Sequence, residues 1–334
     1  MLPFGVRILI TGGCGFVGRH FIAALDDGIN EITVIDSLIA GGGGLDPEFW
    51  ISPPSNRVSF IKSDCRHFFV SSLKSFDLVI HLAAVVGGRL TIERNPLAVA
   101  EDLSIDADFW KWAIKVRPGH IVSFSSSAAY PVSLQATAEN RLKEGDINFR
   151  STLGMPDLTY GWAKLTHEYL GKLASSNHGL KVATYRPFSG YGPDQSLDYP
   201  FSSICLRASQ RKDPNIFEVW GSGLQSRDFI HIDDIVDAVL STYRVITDGS
   251  AVNLCSGVLT TFLDLARMAC SAAGYHPEIR GNSNLPEGVF SRVGDPTLLN
   301  SLGWKPRIRL EDGVQEGVEY HLNKIRKQSK GFGE

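Results

Sequence analysis

Tyr160 and Lys164 stand four residues apart in Tyr160-Gly161-Trp162-Ala163-Lys164, a spacing that sets both side chains on one face of a helix. A phenol at its ordinary pKa of about 10 is a poor base at neutral pH. An ammonium beside it stabilises the phenolate, and such a pair can take a proton from an alcohol and return it. The same spacing also describes an ordinary surface pair. What singles it out is the upstream run Phe124-Ser125-Ser126-Ser127-Ala128-Ala129-Tyr130-Pro131, which puts hydroxyls at the end of an apolar strand. In a parallel sheet that end faces the ligand crevice.

A second constellation lies near the N-terminus, in Thr11-Gly12-Gly13-Cys14-Gly15-Phe16-Val17-Gly18. Gly12 permits a tight turn, Gly15 lets a pyrophosphate approach the backbone, and Gly18 allows close helix packing. The amides of the following helix, from Phe16 and Val17 onward, and its positive dipole end suit phosphate. Asp36 ends the next strand, where a carboxylate accepts hydrogen bonds from a ribose diol. A carboxylate there repels a 2′-phosphate, and Ser37-Leu38-Ile39 offers no Arg or Lys, so the pattern favours NAD over NADP. Asp64, after the third strand, suits either the adenosine half of the cofactor or a helix cap.

The elements that must position these residues alternate strand and helix. Strands are expected at Val6–Ile10, Glu31–Ile35, Val58–Ile61, Leu78–Leu82 and Ile121–Phe124, with helices at Phe16–Asp26 and Leu97–Val116. A helix from Tyr160 to about Ser176, a strand at Lys181–Arg186, a strand at Val252–Leu254 and a helix at Thr261–Ala273 follow. This alternation predicts an α/β fold: a Rossmann-type, doubly wound parallel sheet with a smaller, discontinuous α/β C-terminal unit for substrate. The expected boundaries are residues 1–187 plus about 228–257 for the first unit and about 188–227 plus 258–322 for the second. Residues 323–334 are expected to be a frayed polar tail.

The chain resembles the extended short-chain dehydrogenase/reductases, the NAD-dependent epimerase/dehydratase family acting on nucleotide sugars. Besides the motifs above, the resemblance rests on His81-Leu82-Ala83-Ala84, Arg186-Pro187-Phe188-Ser189-Gly190-Tyr191-Gly192-Pro193 and Arg227-Asp228-Phe229-Ile230-His231-Ile232-Asp233-Asp234. Asn253-Leu254-Cys255-Ser256-Gly257 and Leu302-Gly303-Trp304-Lys305-Pro306 extend it, so that it covers roughly residues 5 to 320. It implies that Ser126 orients the substrate alcohol, that Tyr160 is the acid/base, and that Lys164 also holds the nicotinamide ribose. It further places NAD against Gly12, Gly15, Phe16, Val17, Asp36, Asp64, Cys65, Leu82, Ala83, Ala84 and Pro187. Val85-Val86-Gly87-Gly88-Arg89, the stretch Glu218–Arg227 and Pro286–Arg292 look most like GDP-mannose 3,5-epimerase and GDP-fucose synthase. By that likeness Gly88, Arg89, Ser127, Ser189, Trp220, Arg227 and Arg292 face a nucleotide-diphosphate sugar, with GDP as the hinted nucleotide. Arg227 and Arg292 then grip the pyrophosphate or, alternatively, make surface salt bridges. Trp220 stacks on the base or fills core. Ser189 stands where many relatives have Asn, and its reach is shorter.

Within such a family, groups beside the Ser, Tyr and Lys choose the reaction. The 4,6-dehydratases carry Asp-Glu after the serine or threonine, and decarboxylases tend to carry a glutamate; here Ser127 and Ala128 stand instead. The 3,5-epimerases have a cysteine at the place of Ala128 and a Lys or His in a later loop, and Asp194–Pro200 holds neither. Cys205 falls in an expected helix, as core. What remains is chemistry that needs no extra acid or base: 4-epimerisation with retained NAD, or a 4-dehydrogenase or 4-ketoreductase. NAD-binding regulators of this fold typically lose the Tyr or Lys, and both are present here.

Bulk composition sets the setting. The 334 residues carry a formal net charge of -3, 43% hydrophobic and 21% charged residues, which gives no electrostatic footprint for nucleic acid or an anionic membrane. No apolar run approaches the roughly 20 residues of a membrane span. Five dispersed cysteines without CxxC spacing read as reduced thiols and not as a metal site. The first residues run straight into a strand, without room for a signal peptide, so a cytoplasmic protein is expected. The family commonly pairs two copies through helices equivalent to Leu97–Val116 and Leu158–Ser176, which implies a homodimer.

Overall fold

The computed structural model describes residues 5–331 apart from 40–42, 51, 86–92 and 94. Gly88 and Arg89 therefore lie outside the described residues. Seven parallel strands form the main sheet: β1 (Arg7–Thr11), β2 (Glu31–Asp36), β3 (Val58–Lys62), β4 (Leu78–His81), β5 (His120–Phe124), β6 (Val182–Pro187) and the strand Asp248–Leu254. Their order is Asp248–Leu254, β6, β5, β4, β1, β2, β3. The chain winds outward from β1 in one direction and from β4 in the other. The carboxyl ends of β1 and β4 thus flank the crevice where such sheets bind ligands.

Both faces of the sheet are covered at its centre, which is why β1 and β4 are apolar and buried along nearly their whole length. Ile8 and Ile10 of β1 bury into one core with Phe21, Val122, Ile235 and Val239, while Leu9 points into the other with Phe69, Phe109 and Trp112. Leu299 and Trp304, from the stretch expected in the second unit, join the first of these cores. A separate core forms around Phe201, Cys205, Phe262, Leu265, Val314 and Val318. Cys205 is wholly buried there, as its place in the sequence suggests.

Two stretches differ from the sequence reading. The last strand begins at Asp248, not Val252, because a register shift between Asp248 and Ala251 lets it continue past Gly249, whose φ is +74°. Of the expected frayed tail, 323–331 continue a helix, Leu310–Gly331, and 332–334 lie outside the described residues. Val314, Val318 and Leu322 recur every fourth residue and pack the helix on the second core. That stripe holds a segment whose composition is otherwise polar.

Candidate active site

The helix Leu158–His178 carries Tyr160 and Lys164, and a short turn at Ser127–Ala129 carries the serine segment. Gly161 is what brings them together. A Cβ there would lie 2.4 Å from the carbonyl oxygen of Ala128, so only glycine allows this approach. The amide of Asp157 donates to that same carbonyl at 2.9 Å. Ser126 caps the turn, accepting from the Ala128 amide at 3.1 Å, and its hydroxyl lies near enough to the Tyr160 phenol to favour the ionised form. Lys164 Nζ lies 5.6 Å from the Tyr160 ring centroid.

A buried ion pair holds the serine segment from below. Glu168, one turn beyond Lys164, accepts from Ser125 Oγ and binds Arg186 at 2.7 Å. Arg186 Nη1 donates to the Tyr130 hydroxyl at 2.9 Å, and that hydroxyl donates to Asn253 Oδ1 at 2.7 Å. Glu168 continues the i, i+4 series of Tyr160 and Lys164, a signal visible in the sequence and not drawn from it.

The electrostatics are mixed. Burial raises the Tyr160 phenol above its ordinary value, and Asp102 adds to this, while Lys164, Ser126 and Arg292 pull it down. The expected lowering by the ammonium is therefore present but outweighed here. Burial works against the charge of Lys164, yet Tyr160, Asp102 and Asp106 raise its affinity for the proton. The lysine is an ammonium at neutral pH.

Gly12 has φ +69°, and a Cβ on it would lie 2.7 Å from the Ala83 amide nitrogen. The turn can therefore press against the Leu82-Ala83-Ala84 loop, whose Leu82 amide donates to Thr11 at 3.0 Å. The helix α1 (Phe16–Leu25) starts at Gly15 with no side chain capping it, which leaves its first amides for a phosphate. Asp36, at the end of β2, accepts from the amides of Cys14 at 3.0 Å and Leu38 at 2.9 Å. These residues fit a dinucleotide: a glycine cradle a side chain would fill, uncapped amides, and a carboxylate at the second strand's end. Pro187 closes β6 on the same edge of the sheet. For Asp64 the capping role is present. It caps the helix α2 (Cys65–Ser71), accepts from the Arg66 amide at 2.9 Å, and pairs with the Arg66 guanidinium. Cys65, the first residue of α2, is buried, with its thiol pushed up to about 12 by burial and Asp64.

The substrate-side candidates come from three small strands. Thr260–Thr261, Ser226–Arg227 and Ser291–Arg292 form one sheet in which Arg227 and Arg292 are direct neighbours in register. Two guanidiniums so placed favour an anion between them. Arg227 Nη1 donates to the carbonyls of Ser226 and Val289, and its head lies 5.5 Å from the Phe262 ring centroid. Arg292 Nε donates to Gln135 Oε1 at 2.7 Å, and Nη2 to the Asp157 carboxylate. The ion pair that Arg292 makes with Asp157 is largely buried and not on the open surface. Trp220, at the end of the strand Ile216–Trp220, is 46% exposed, so it does not fill core. Ser189 is half-buried and its amide donates to the Asp228 carbonyl at 2.9 Å. Ser127 is buried within its turn.

A family model described as NAD dependent epimerase/dehydratase family matches residues 8–255. The chain is 27% identical over 333 residues to dTDP-4-dehydro-6-deoxy-D-allose reductase of a Streptomyces species, covering 96% of this chain and 98% of the relative. It is 28% identical to GDP-mannose 3,5-epimerase 1 of Oryza sativa subsp. indica, over 93% of this chain and 80% of that one. Among solved structures, a UDP-glucose 4-epimerase of Thermotoga maritima superposes with a TM-score of 0.81 at 23% identity, covering 96% and 99% of the two chains.

Proposed function

Because this chain belongs to the NAD-dependent epimerase/dehydratase family and is an NAD-dependent enzyme of the short-chain dehydrogenase/reductase type, we propose that it inverts C4 of a nucleotide-diphosphate sugar with its NAD retained. The observation that carries this reading is the convergence of Ser126, Tyr160 and Lys164, with no second acid or base on Ser127 or Ala128. When bound, NAD supplies a hydride acceptor and donor. Gly12, Gly15, Phe16, Val17, Asp36, Leu82, Ala83, Ala84 and Pro187 are the residues proposed to hold it.

Ser126 orients the C4 hydroxyl. Tyr160 takes its proton, and the Lys164 charge stabilises the phenolate that forms the base. Arg227 and Arg292 hold the pyrophosphate, and Trp220 offers a face for the nucleotide base. The sugar turns about this anchor, and Tyr160 returns the proton to the oxygen of the inverted product. A 4-ketoreductase is the second reading, favoured by the likeness to the Streptomyces reductase over 96% of this chain. There Tyr160 donates its proton to a keto oxygen, while the hydride would come from a reduced nicotinamide cofactor that is left oxidised and must be exchanged.

Leu103, Trp162 and Tyr169 stay partly exposed on the helices Ala100–Val116 and Leu158–His178, which supports pairing of two copies through these helices. Among the described residues no helix is long and apolar enough to cross a membrane. The five free, buried cysteines support a reducing, cytoplasmic setting. The reaction is tested by adding nucleotide sugars to the protein as purified, without cofactor. C4 inversion supports the epimerase, and turnover only with added nicotinamide cofactor supports the reductase.

A further inference from the structure

Behind Lys164 lies a polar cluster that the reaction scheme above does not use. The helix Ala100–Val116 contributes Asp102 and Asp106, the Tyr160 helix contributes His167, and β4 contributes His81. All four are almost wholly buried, at 1%, 3%, 1% and 3% exposure. His81 Nδ1 bonds Thr11 Oγ1 at 2.7 Å, while its Nε2 faces Asp106 Oδ1 at 3.3 Å. His167 Nδ1 lies 3.0 Å from that same oxygen. Asp106 is thus flanked by two imidazoles. Burial opposes its charge, but the histidines and Lys164 hold it ionised.

Asp102 differs. One oxygen accepts from the Val85 amide, at the end of the loop that leaves β4. The other, Oδ2, is buried without a hydrogen-bond partner. A carboxylate in that state is costly to keep charged. The groups that face it are Lys164 and His167 on the Tyr160 helix and Asp106 on its own helix. From α2, Arg66 reaches only the outer side of the helix, where it binds Glu101 and Ser104.

We propose that Asp102 is an ionisable positioning residue, whose carboxyl, held between the Val85 loop and Lys164, governs how readily Tyr160 gives up its proton. The proposal deepens the reading of Tyr160 as acid/base and rests on it. When Asp102 is ionised, its charge disfavours the Tyr160 phenolate and occupies part of the Lys164 field. When it is neutral, the whole of that field acts on the phenol. Burial sets the carboxyl to titrate at about 6, with Lys164 and the Val85 amide pulling against it. The change of charge therefore falls within the working pH range, where an amide at the same place would be inert. The carboxyl is also tied to the loop that runs from Ala83, so its charge and the cofactor loop share one anchor.

The test uses the whole protein without sugar, so its outcome is independent of which reaction is catalysed. Carboxyl-labelled aspartate and ring-labelled tyrosine are followed by 13C NMR against pH, with Asp102→Asn and Tyr160→Phe for assignment. Asp102→Asn keeps an oxygen for the Val85 amide. The expected result is an aspartate midpoint near pH 6 that is absent in Asp102→Asn, with the Tyr160 midpoint lowered by about half a pH unit or more in that variant. In Lys164→Met, which tests the coupling by a second route, the Asp102 midpoint rises because the cation that favours its charged form is gone. An unmoved Tyr160 midpoint in a folded Asp102→Asn protein overturns the proposal and leaves Asp102 as a support for the loop alone. So does an Asp102 midpoint unmoved in Lys164→Met.

Discussion

Arg292 donates from Nη2 to the Asp157 carboxylate at 2.5 Å, joining a strand of the second core's side to the residue that precedes the Tyr160 helix. The pair places a guanidinium within electrostatic reach of the Tyr160 phenol. A pyrophosphate bound at Arg227 and Arg292 would therefore act on the same contact that anchors the catalytic helix.

Arg292→Lys keeps a charge but cannot form the two-pronged contact. Calorimetry with GDP and UDP is expected to show about 10-fold weaker binding, with NAD content unchanged. An unaltered affinity for both nucleotides would remove Arg292 from the substrate's anchor.

Tyr160→Phe removes only the hydroxyl. Turnover is expected to fall by about 100- to 10,000-fold, the usual range for a lost acid/base. The melting temperature and bound NAD should stay near those of the parent, because the ring and its approach to Lys164 are kept. Retained turnover would assign the proton transfer elsewhere.

The glycine turn offers a contrast between two single methyl groups. A Cβ on Gly18 would lie 2.5 Å from the Gly13 Cα, so Gly18→Ala should destabilise the protein by about 1–3 kcal/mol. A Cβ on Gly15 meets only the Gly12 carbonyl oxygen, at 3.2 Å. Gly15→Ala should keep the fold and lose NAD. Thermal melts and the absorbance of released cofactor separate the two.

His20 links α1 to the loop that carries Asp194 and to Asp233. Burial opposes its charge, but bonds to Asp194 and Asp233 raise it from 6.5 to about 9. A raised value stabilises the fold fully below about pH 6.5 and loses that contribution as pH rises through about 9. His20→Gln should be about 1–3 kcal/mol less stable than the parent at pH 6 and no less stable at pH 10, by chemical denaturation. A deficit that is equal at both pH values would contradict the charged form.

What the sequence made legible was local. The turn at Gly12 to Gly18 and the pair Tyr160 and Lys164 are encoded by spacings of a few residues, and their elements follow from apolar periodicity. Glu168 obeyed the same spacing, but its meaning depends on Arg186, Tyr130 and Asn253, which arrive from other strands and loops. Asp106 and His81 lie 25 positions apart on different elements, and only the packing of the Ala100–Val116 helix against β4 makes them neighbours. Trp220 and Asp64 had two readings each; exposure rules core out for Trp220 and the cap is present for Asp64, while their ligand roles need the partners that only binding would bring. The helix Leu310–Gly331 was hidden because three apolar residues hold it among many charged ones.

The most direct measurement is an NMR time course of the purified protein, with no cofactor added, against GDP-, UDP-, CDP- and dTDP-linked sugars. One sugar is expected to give its C4 epimer, with no net oxidation or reduction of the sugar. Turnover that begins only when NAD(H) or NADP(H) is supplied, or a change at C3 or C5, would contradict it.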